Sequence, residues 1–385
     1  MNLILGKSKT GKSKYIFDKI DEDILTGKKV IYFVPSQTRV LAEGNYIKFQ
    51  NKPGIIDVNL TTISSYIKDF LNQYNMNHED KYISKLDRKL ILTKIILENP
   101  NLFNMFKKVK NKEGFLENLN IYMDIFKKED INIDDIKNIE LPDKLLEYKL
   151  KEITNVYKEY INYIENKYID SIDETDIFLK LFESTYLDKD VSNISIYFDS
   201  YNNFTNHELK FIKLLLKLKF DVTFSITTDV ADKLEDLSSY SINEISNLTL
   251  GDITNIFTQS NLTLLTLLKY AKNLKLNISS EFMRVNYSNA KEDIEYLANN
   301  IFTSTSLDNK LKAENIHINL TTNIYTEVDK IANIISQKVR DGYRYKDFVI
   351  YTHLQMNMHM LFIKYFMNIT YRYILILRFQ FKVIY

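Results

Sequence analysis

The feature that most constrains this chain is a glycine-containing loop between an apolar run and a helical pattern at its N-terminus. Leu3-Ile4-Leu5 predicts a short buried strand, and residues 14 to 20 predict a helix. In a chain with only eight glycines, the loop between them fits G-x-x-x-x-G-K-[ST] at every fixed position. Its residues are Gly6, Lys7, Ser8, Lys9, Thr10, Gly11, Lys12 and Ser13. Backbone N–H groups at a helix N-terminus favour anions, so this segment predicts a phosphate-binding loop.

The residue types in this loop predict ATP and Mg²⁺ as its ligands. Lys12 would meet the β- and γ-phosphates, and the Ser13 hydroxyl would bind magnesium. Asp199 ends the apolar run of residues 194–198 and is the best candidate for a second magnesium ligand. The alternatives are a glycine turn with solvated lysines, and a strand-end carboxylate that accepts loop N–H groups. Ser200 stands where many motor proteins place a glutamate base, so we expect slow or absent hydrolysis by this chain.

The order of patterns predicts an α/β fold with a parallel sheet, a large helical insertion and the start of a second α/β domain. Short apolar runs recur at 30–34, 58–60, 194–198 and 222–226, whereas the stretch between the second and third of these reads as helices. A helix at 327–339 and a strand at 347–351 suggest the second domain. We therefore divide the chain into a first sheet segment at 1–75, a helical insertion at 76–190, a second sheet segment at 191–285, the start of a second domain at 286–352 and a tail at 353–385.

The tail has an unusual composition. No Asp or Glu follows Asp347, and residues 352–385 mix aromatic residues, Met, Ile and scattered bases. We expect a truncated or frame-shifted end here, because a native surface rarely lacks one sign of charge over such a length.

Composition excludes several classes of function. The chain has no cysteine, which excludes disulfides, thiol catalysis and thiolate-ligated metal sites within these 385 residues. The formal net charge is +1, so any contact with nucleic acid must use a local patch. The most basic patch is the run at 107–112, for which a solvated surface is the alternative to a DNA contact; 27 Tyr and 23 Phe make base stacking possible. No signal peptide or membrane span is predicted, and we expect a cytoplasmic protein.

Several blocks of the sequence, in order, resemble those of one known family. After the glycine loop comes Val34-Pro35-Ser36-Gln37, similar to V-P-E-Q with Ser36 in place of Glu, followed by Thr62-Ile63-Ser64-Ser65-Tyr66 and by Tyr168-Ile169-Asp170 with Asp173. The block Phe198-Asp199-Ser200-Tyr201-Asn202-Asn203-Phe204-Thr205-Asn206-His207-Glu208 resembles D-G-F-x-x-F-T-P-Q-E, with Ser200, Asn206 and His207 as departures. The last blocks are Glu327-Val328, Ile331-Ala332 and Gly342-Tyr343-Arg344-Tyr345-Lys346-Asp347. Together they resemble the B subunit of the ATP-dependent helicase/deoxyribonuclease, AddB or RexB, over residues 1 to 352.

The resemblance implies a RecA-like P-loop NTPase architecture of the superfamily 1 helicase type. It also implies a heterodimer with an A subunit that processes double-strand DNA ends for recombinational repair, with DNA ends and single-stranded DNA as partners. Family members carry a C-terminal nuclease domain and a cysteine-ligated iron–sulfur cluster. We expect neither within these residues, and the cluster cannot form where there is no cysteine.

Two other hypotheses remain open from the sequence. In the first, the loop binds nucleotide only to stabilise a non-enzymatic DNA-binding scaffold. In the second, the chain is a small-substrate P-loop kinase that shares Lys12 and Ser13. Against a kinase stand the long helical insertion and the lack of an Arg-rich lid, since no arginine lies between Arg88 and Arg284.

Overall fold

The computed structural model describes residues 1–51, 57–74, 83–129, 131, 133, 136, 140–165, 167–168, 173–237, 239–250, 255–287, 290–300 and 312–350. The chain divides into two compact units, Met1–Ser288 and Asn289–Tyr385. The predicted tail, 353–385, lies outside the described residues.

A six-stranded sheet forms the centre of the first unit. Its strands are β1 (Asn2–Gly6), β2 (Lys29–Phe33), β3 (Val58–Thr61), β4 (Ile194–Phe198), β5 (Asp221–Thr227) and β6 (Ser279–Met283). They lie in the order β3-β2-β4-β5-β1-β6, and every neighbouring pair is parallel. The predicted α/β class with a parallel sheet is therefore confirmed. The sequence patterns did not predict β6.

Helices connect the strands. In the first unit they are α1 (Lys12–Leu25), α2 (Arg39–Gln50), α3 (Ile63–Gln73), α4 (Lys85–Glu98), α5 (Glu113–Lys128), α6 (Lys144–Ile164), α7 (Asp173–Tyr186), α8 (Asn206–Lys217), α9 (Val230–Lys233), α10 (Ile242–Leu250) and α11 (Thr258–Asn273). Local capping fixes several starts: Thr62 accepts the N–H of Ser65, and Thr205 and Glu208 form a reciprocal capping box. None of the helices described here is long and apolar enough to cross a lipid bilayer.

The two faces of the sheet bury different sets of side chains, as the period of two along a strand requires. One face, which contains Ile4, Tyr32 and Tyr197, packs with Ile16 and Phe17 of α1. The opposite face, which contains Leu5 and Phe198, packs with apolar residues of α3, α7, α8 and α11. The first face is the one that carries the candidate site, because α1, which begins at Lys12 within the glycine loop, packs on it.

The helices α4, α5 and α6 have a core of their own, which includes Leu92, Met123 and Tyr160. Two departures from the family block join this core to the start of α8. The Asn206 amide donates to the backbone oxygen of Glu129 at 2.8 Å, and His207 Nε2 lies 2.7 Å from the backbone oxygen of Lys127. The helix α7, in contrast, packs on the sheet.

The second unit contains α12 (Glu292–Asn300) and α13 (Ile324–Arg340). The buried apolar residues of α13 are Val328, Ala332 and Ile335. The strand predicted at 347–351 is not found over its described part, 347–350. A short 3₁₀ helix covers Tyr345–Asp347 instead, and the Asp347 carboxylate accepts the backbone N–H of Arg344 at 2.9 Å. This local bond closes a turn, and residues 348–350 after it are not in a strand.

Candidate functional site

The predicted site residues meet at the end of the sheet that is formed by the carboxyl ends of its strands. The carboxyl ends of parallel strands lie at the same edge, which is where open α/β sheets bind ligands. The glycine loop starts at Gly6, the last residue of β1, and Asp199 follows β4, with β5 between the two strands. Ser13 Oγ nevertheless donates to Asp199 Oδ2 at 2.7 Å. The fold thus joins two residues that are 186 positions apart in the sequence.

The loop has the backbone conformation that its glycine pattern requires. Gly11 is the N-cap of α1 and has a φ of 85°, in the left-handed region that favours glycine. It carries no side chain, so no side-chain cap covers the N-terminus of α1. Thr10 Oγ1 donates to the backbone oxygen of Lys7 at 2.8 Å and tightens the turn. The start of α1 therefore directs backbone N–H groups and the positive end of a helix dipole toward the loop.

Lys12 is the central charge of the loop. Its side chain is 8% exposed, and its ammonium donates to the backbone oxygens of Gly6 at 2.9 Å and Lys7 at 2.6 Å. Burial lowers the pKa of Lys12 to about 8, although the Asp199 carboxylate acts in the opposite direction. The loop therefore holds an amine whose cost of burial an anionic ligand would relieve.

Asp199 is 3% exposed and accepts three hydrogen bonds. Its Oδ2 accepts from Ser13 and, at 2.9 Å, from the hydroxyl of Tyr32. Its Oδ1 accepts the backbone N–H of Ser200 at 2.8 Å. The carboxylate therefore accepts a loop N–H group, as one alternative expected, and also contacts the serine of the glycine loop.

Lys7, Ser8 and Lys9 of the glycine loop are at least partly exposed. Ser8 and Lys9 are exposed, and Lys9 has a φ of 64°. Lys7 Nζ forms an ion pair with Asp232 of α9 at 2.8 Å, with both side chains about two-fifths exposed. An exposed pair of this kind contributes little to stability. The basic run at 107–112 lies between Leu102 and α5.

Sequence reasoning missed three residues that contact the site. Tyr32 lies inside an apolar run of β2, where its hydroxyl gives no separate signal. Thr228, after β5, donates its backbone N–H to the Gly6 oxygen at 3.2 Å, and Tyr287, after β6, donates its backbone N–H to the Lys9 oxygen at 2.9 Å. These contacts depend on the strand order, which the local patterns do not contain.

The fold and the site define a class: a parallel α/β protein in which a glycine loop, a helix N-terminus and a strand-end carboxylate meet at one edge of the sheet. A sequence model described as ADDB, N-terminal, matches residues 3–298. This chain belongs to that family.

Individual relatives agree with this assignment. The B subunits of the ATP-dependent helicase/deoxyribonuclease from Listeria welshimeri, Clostridium kluyveri and Clostridium tetani are 24%, 25% and 26% identical to it over 356, 362 and 364 residues. Each alignment covers 91% of this chain and 29–30% of the relative. The chain therefore spans less than a third of the length of these relatives.

Proposed function

We propose that this chain binds ATP–Mg²⁺ through the glycine loop, as the N-terminal part of a helicase–nuclease B subunit. The observation that carries the proposal is the hydrogen bond of 2.7 Å between Ser13 and Asp199 beside the buried ammonium of Lys12. Magnesium prefers one or two protein oxygen ligands together with phosphate oxygens, and these side chains supply that set.

Each group in the site has a chemical role in this proposal. The uncapped first turn of α1 binds phosphate oxygens through backbone N–H groups. Lys12 exchanges its carbonyl partners for the β- and γ-phosphates, and Ser13 and Asp199 hold the ion. Magnesium neutralises phosphate charge when it is bound. In the sheet, β5 lies between β1, at whose end the glycine loop starts, and β4, which precedes Asp199. This strand order supports a RecA-like P-loop domain.

Hydrolysis by this chain should be slow or absent. Attack on the γ-phosphate needs a group that positions water. The residue after Asp199 is Ser200, whose backbone N–H bonds to the Asp199 carboxylate. The neighbouring position thus supplies no carboxylate to orient a water molecule.

The wider role follows from the relatives. We propose that the chain acts with an A subunit on double-strand DNA ends and single-stranded DNA, in the cytoplasm, during recombinational repair. The iron–sulfur cluster implied by the family does not fit these residues, because thiolate ligands are absent from the chain. A nucleotide-stabilised DNA-binding scaffold remains the second function, favoured by Ser200; a small-substrate kinase is the third.

ATP binding and turnover, each measured with and without blunt duplex ends, separate these functions. We expect ATP binding with little turnover in the isolated chain, and turnover with an A subunit that Lys12→Ala in this chain lowers. Slow turnover that stays slow with the A subunit, combined with DNA binding that requires ATP, would favour the scaffold. Phosphate transfer to a small acceptor would favour the kinase. Absence of ATP binding would contradict the proposal itself.

Raising the pH through about 8 should weaken ATP binding, because Lys12 has a pKa lowered to about 8 by burial. Below that pH the ammonium is present and pairs with phosphate. Above it the free chain holds a neutral amine, so binding must first take up a proton, and the dissociation constant should rise by up to about tenfold per pH unit. Fluorescence anisotropy with a labelled ATP analogue measures this slope. The same titrations with Lys12→Ala measure the pH dependence that comes from ionisation of the nucleotide. Equal slopes in wild type and Lys12→Ala would refute the assignment of the pH dependence to Lys12.

A further inference from the structure

A buried tyrosine shares the carboxylate of the candidate magnesium site. The hydroxyl of Tyr32 lies 2.9 Å from Asp199 Oδ2, the same oxygen that accepts from Ser13. We propose that Tyr32 is a positioning residue for the pair Ser13 and Asp199, and that it sets the affinity of the nucleotide complex for Mg²⁺. This proposal rests on the proposed ATP–Mg²⁺ function.

The sheet register explains why Tyr32 reaches this carboxylate. Tyr32 of β2 pairs with Tyr197 of β4, so both side chains lie on the same face of the sheet. Asp199 is two residues beyond Tyr197, and the period of two along a strand returns its side chain to that face. Tyr32 can therefore extend along the face to the end of the neighbouring strand.

The phenol is held firmly in place. Tyr32 is 1% exposed, and its ring packs edge-on against Phe17 of α1, with 6.0 Å between ring centroids. In the contact with Asp199, the Tyr32 hydroxyl is the donor and the Asp199 oxygen is the acceptor. The Tyr32 hydroxyl donates to Oδ2, and the backbone N–H of Ser200 donates to Oδ1. Both oxygens of Asp199 are therefore held in place.

This arrangement has a consequence for metal binding. An ionised carboxylate only accepts hydrogen bonds, so the Ser13 hydroxyl must donate its hydrogen to Asp199. The Ser13 lone pairs are then available to an ion. If Asp199 can rotate, Ser13 loses this fixed orientation. Partners that orient metal ligands commonly change metal affinity by about 10- to 100-fold when they are removed.

The test compares Tyr32→Phe with Tyr197→Phe. Tyr197 is also buried, and its hydroxyl donates at 2.6 Å to Asp23, which is ten residues, or about 15 Å along α1, from Ser13. Both variants lose one buried hydroxyl, and phenylalanine fills the same volume, so we expect similar changes in melting temperature. A labelled ATP analogue is titrated at several Mg²⁺ concentrations and again with a chelator.

We expect Tyr32→Phe to need about tenfold more Mg²⁺ for half-maximal tightening of ATP binding, with an affinity in chelator within about twofold of wild type. Tyr197→Phe should match wild type in both. In an Asp199→Asn background, Tyr32→Phe should cause no further loss. Three results for Tyr32→Phe would overturn its role. They are an equal loss of ATP affinity with and without Mg²⁺, an unchanged Mg²⁺ requirement, and a full additional loss in the Asp199→Asn background. Wild type that binds ATP without any Mg²⁺ dependence would overturn this inference but leave ATP binding standing, whereas wild type that binds no ATP would overturn both.

Discussion

Gly6→Ala should destabilise the first unit by about 3 kcal/mol, the upper end of the usual cost of overpacking. A Cβ at Gly6 would lie 2.3 Å from the backbone oxygen of Met283 and 2.7 Å from Thr10 Oγ1. The first neighbour is backbone of β6, which pairs with β1 and cannot move as a flexible side chain would. The strand and the loop must therefore shift together. Chemical denaturation measures the loss of free energy of unfolding, and ATP affinity should fall in the same variant.

Gly44→Ala is the matched control for this substitution. Gly44 lies within α2, and nothing lies within 4 Å of a Cβ built there. Alanine is the better helix former by about 1 kcal/mol, so this variant should be as stable as wild type or more stable. Equal stability of Gly6→Ala and Gly44→Ala would show that β6 does not pack against Gly6 as described.

Lys12→Ala should weaken ATP binding by about 2–5 kcal/mol, the cost of truncating one partner of a buried charge pair. This equals about 30-fold to a few thousand-fold in the dissociation constant. Lys12 is nearly fully buried and lies inside the loop, so its charge acts at low dielectric on any phosphate bound there. Anisotropy with a labelled ATP analogue measures the loss.

Lys14→Ala separates this effect from a general loss of positive charge. Lys14 is exposed on the same helix, two residues further along. Its charge is screened by water, so its removal should change the affinity by less than about threefold. A similar loss in both variants would mean that only the net charge of the region matters.

The strands of this fold differ in how well the sequence predicts them. β1, β2, β4 and β5 are buried apolar runs, which the sequence predicts because central parallel strands are covered on both faces. β6 is an edge strand that pairs only with β1, and its residues, Ser279-Ser280-Glu281-Phe282-Met283, are exposed or half-buried. Its pairing depends on β1, which lies more than 270 residues earlier, so no local pattern marks it.

The residues of the candidate site also differ in how well the sequence predicts them. The glycine loop has a fixed local spacing, and Asp199 follows an apolar run, so the sequence predicts both. It does not predict their contact, because that contact depends on the strand order. Tyr32 is one of 27 tyrosines and lies in an apolar run, where a core position is the default expectation. Only the register of β2 with β4 indicates that its hydroxyl reaches Asp199.

The central claim, that the glycine loop binds ATP–Mg²⁺, is tested most directly by calorimetric titration of the wild-type chain with ATP in excess Mg²⁺. We predict a saturable heat with about one ATP bound per chain, weakened by chelation of Mg²⁺ and by Lys12→Ala. No saturable heat up to millimolar ATP in a folded chain, or the same affinity in wild type and Lys12→Ala, would contradict it.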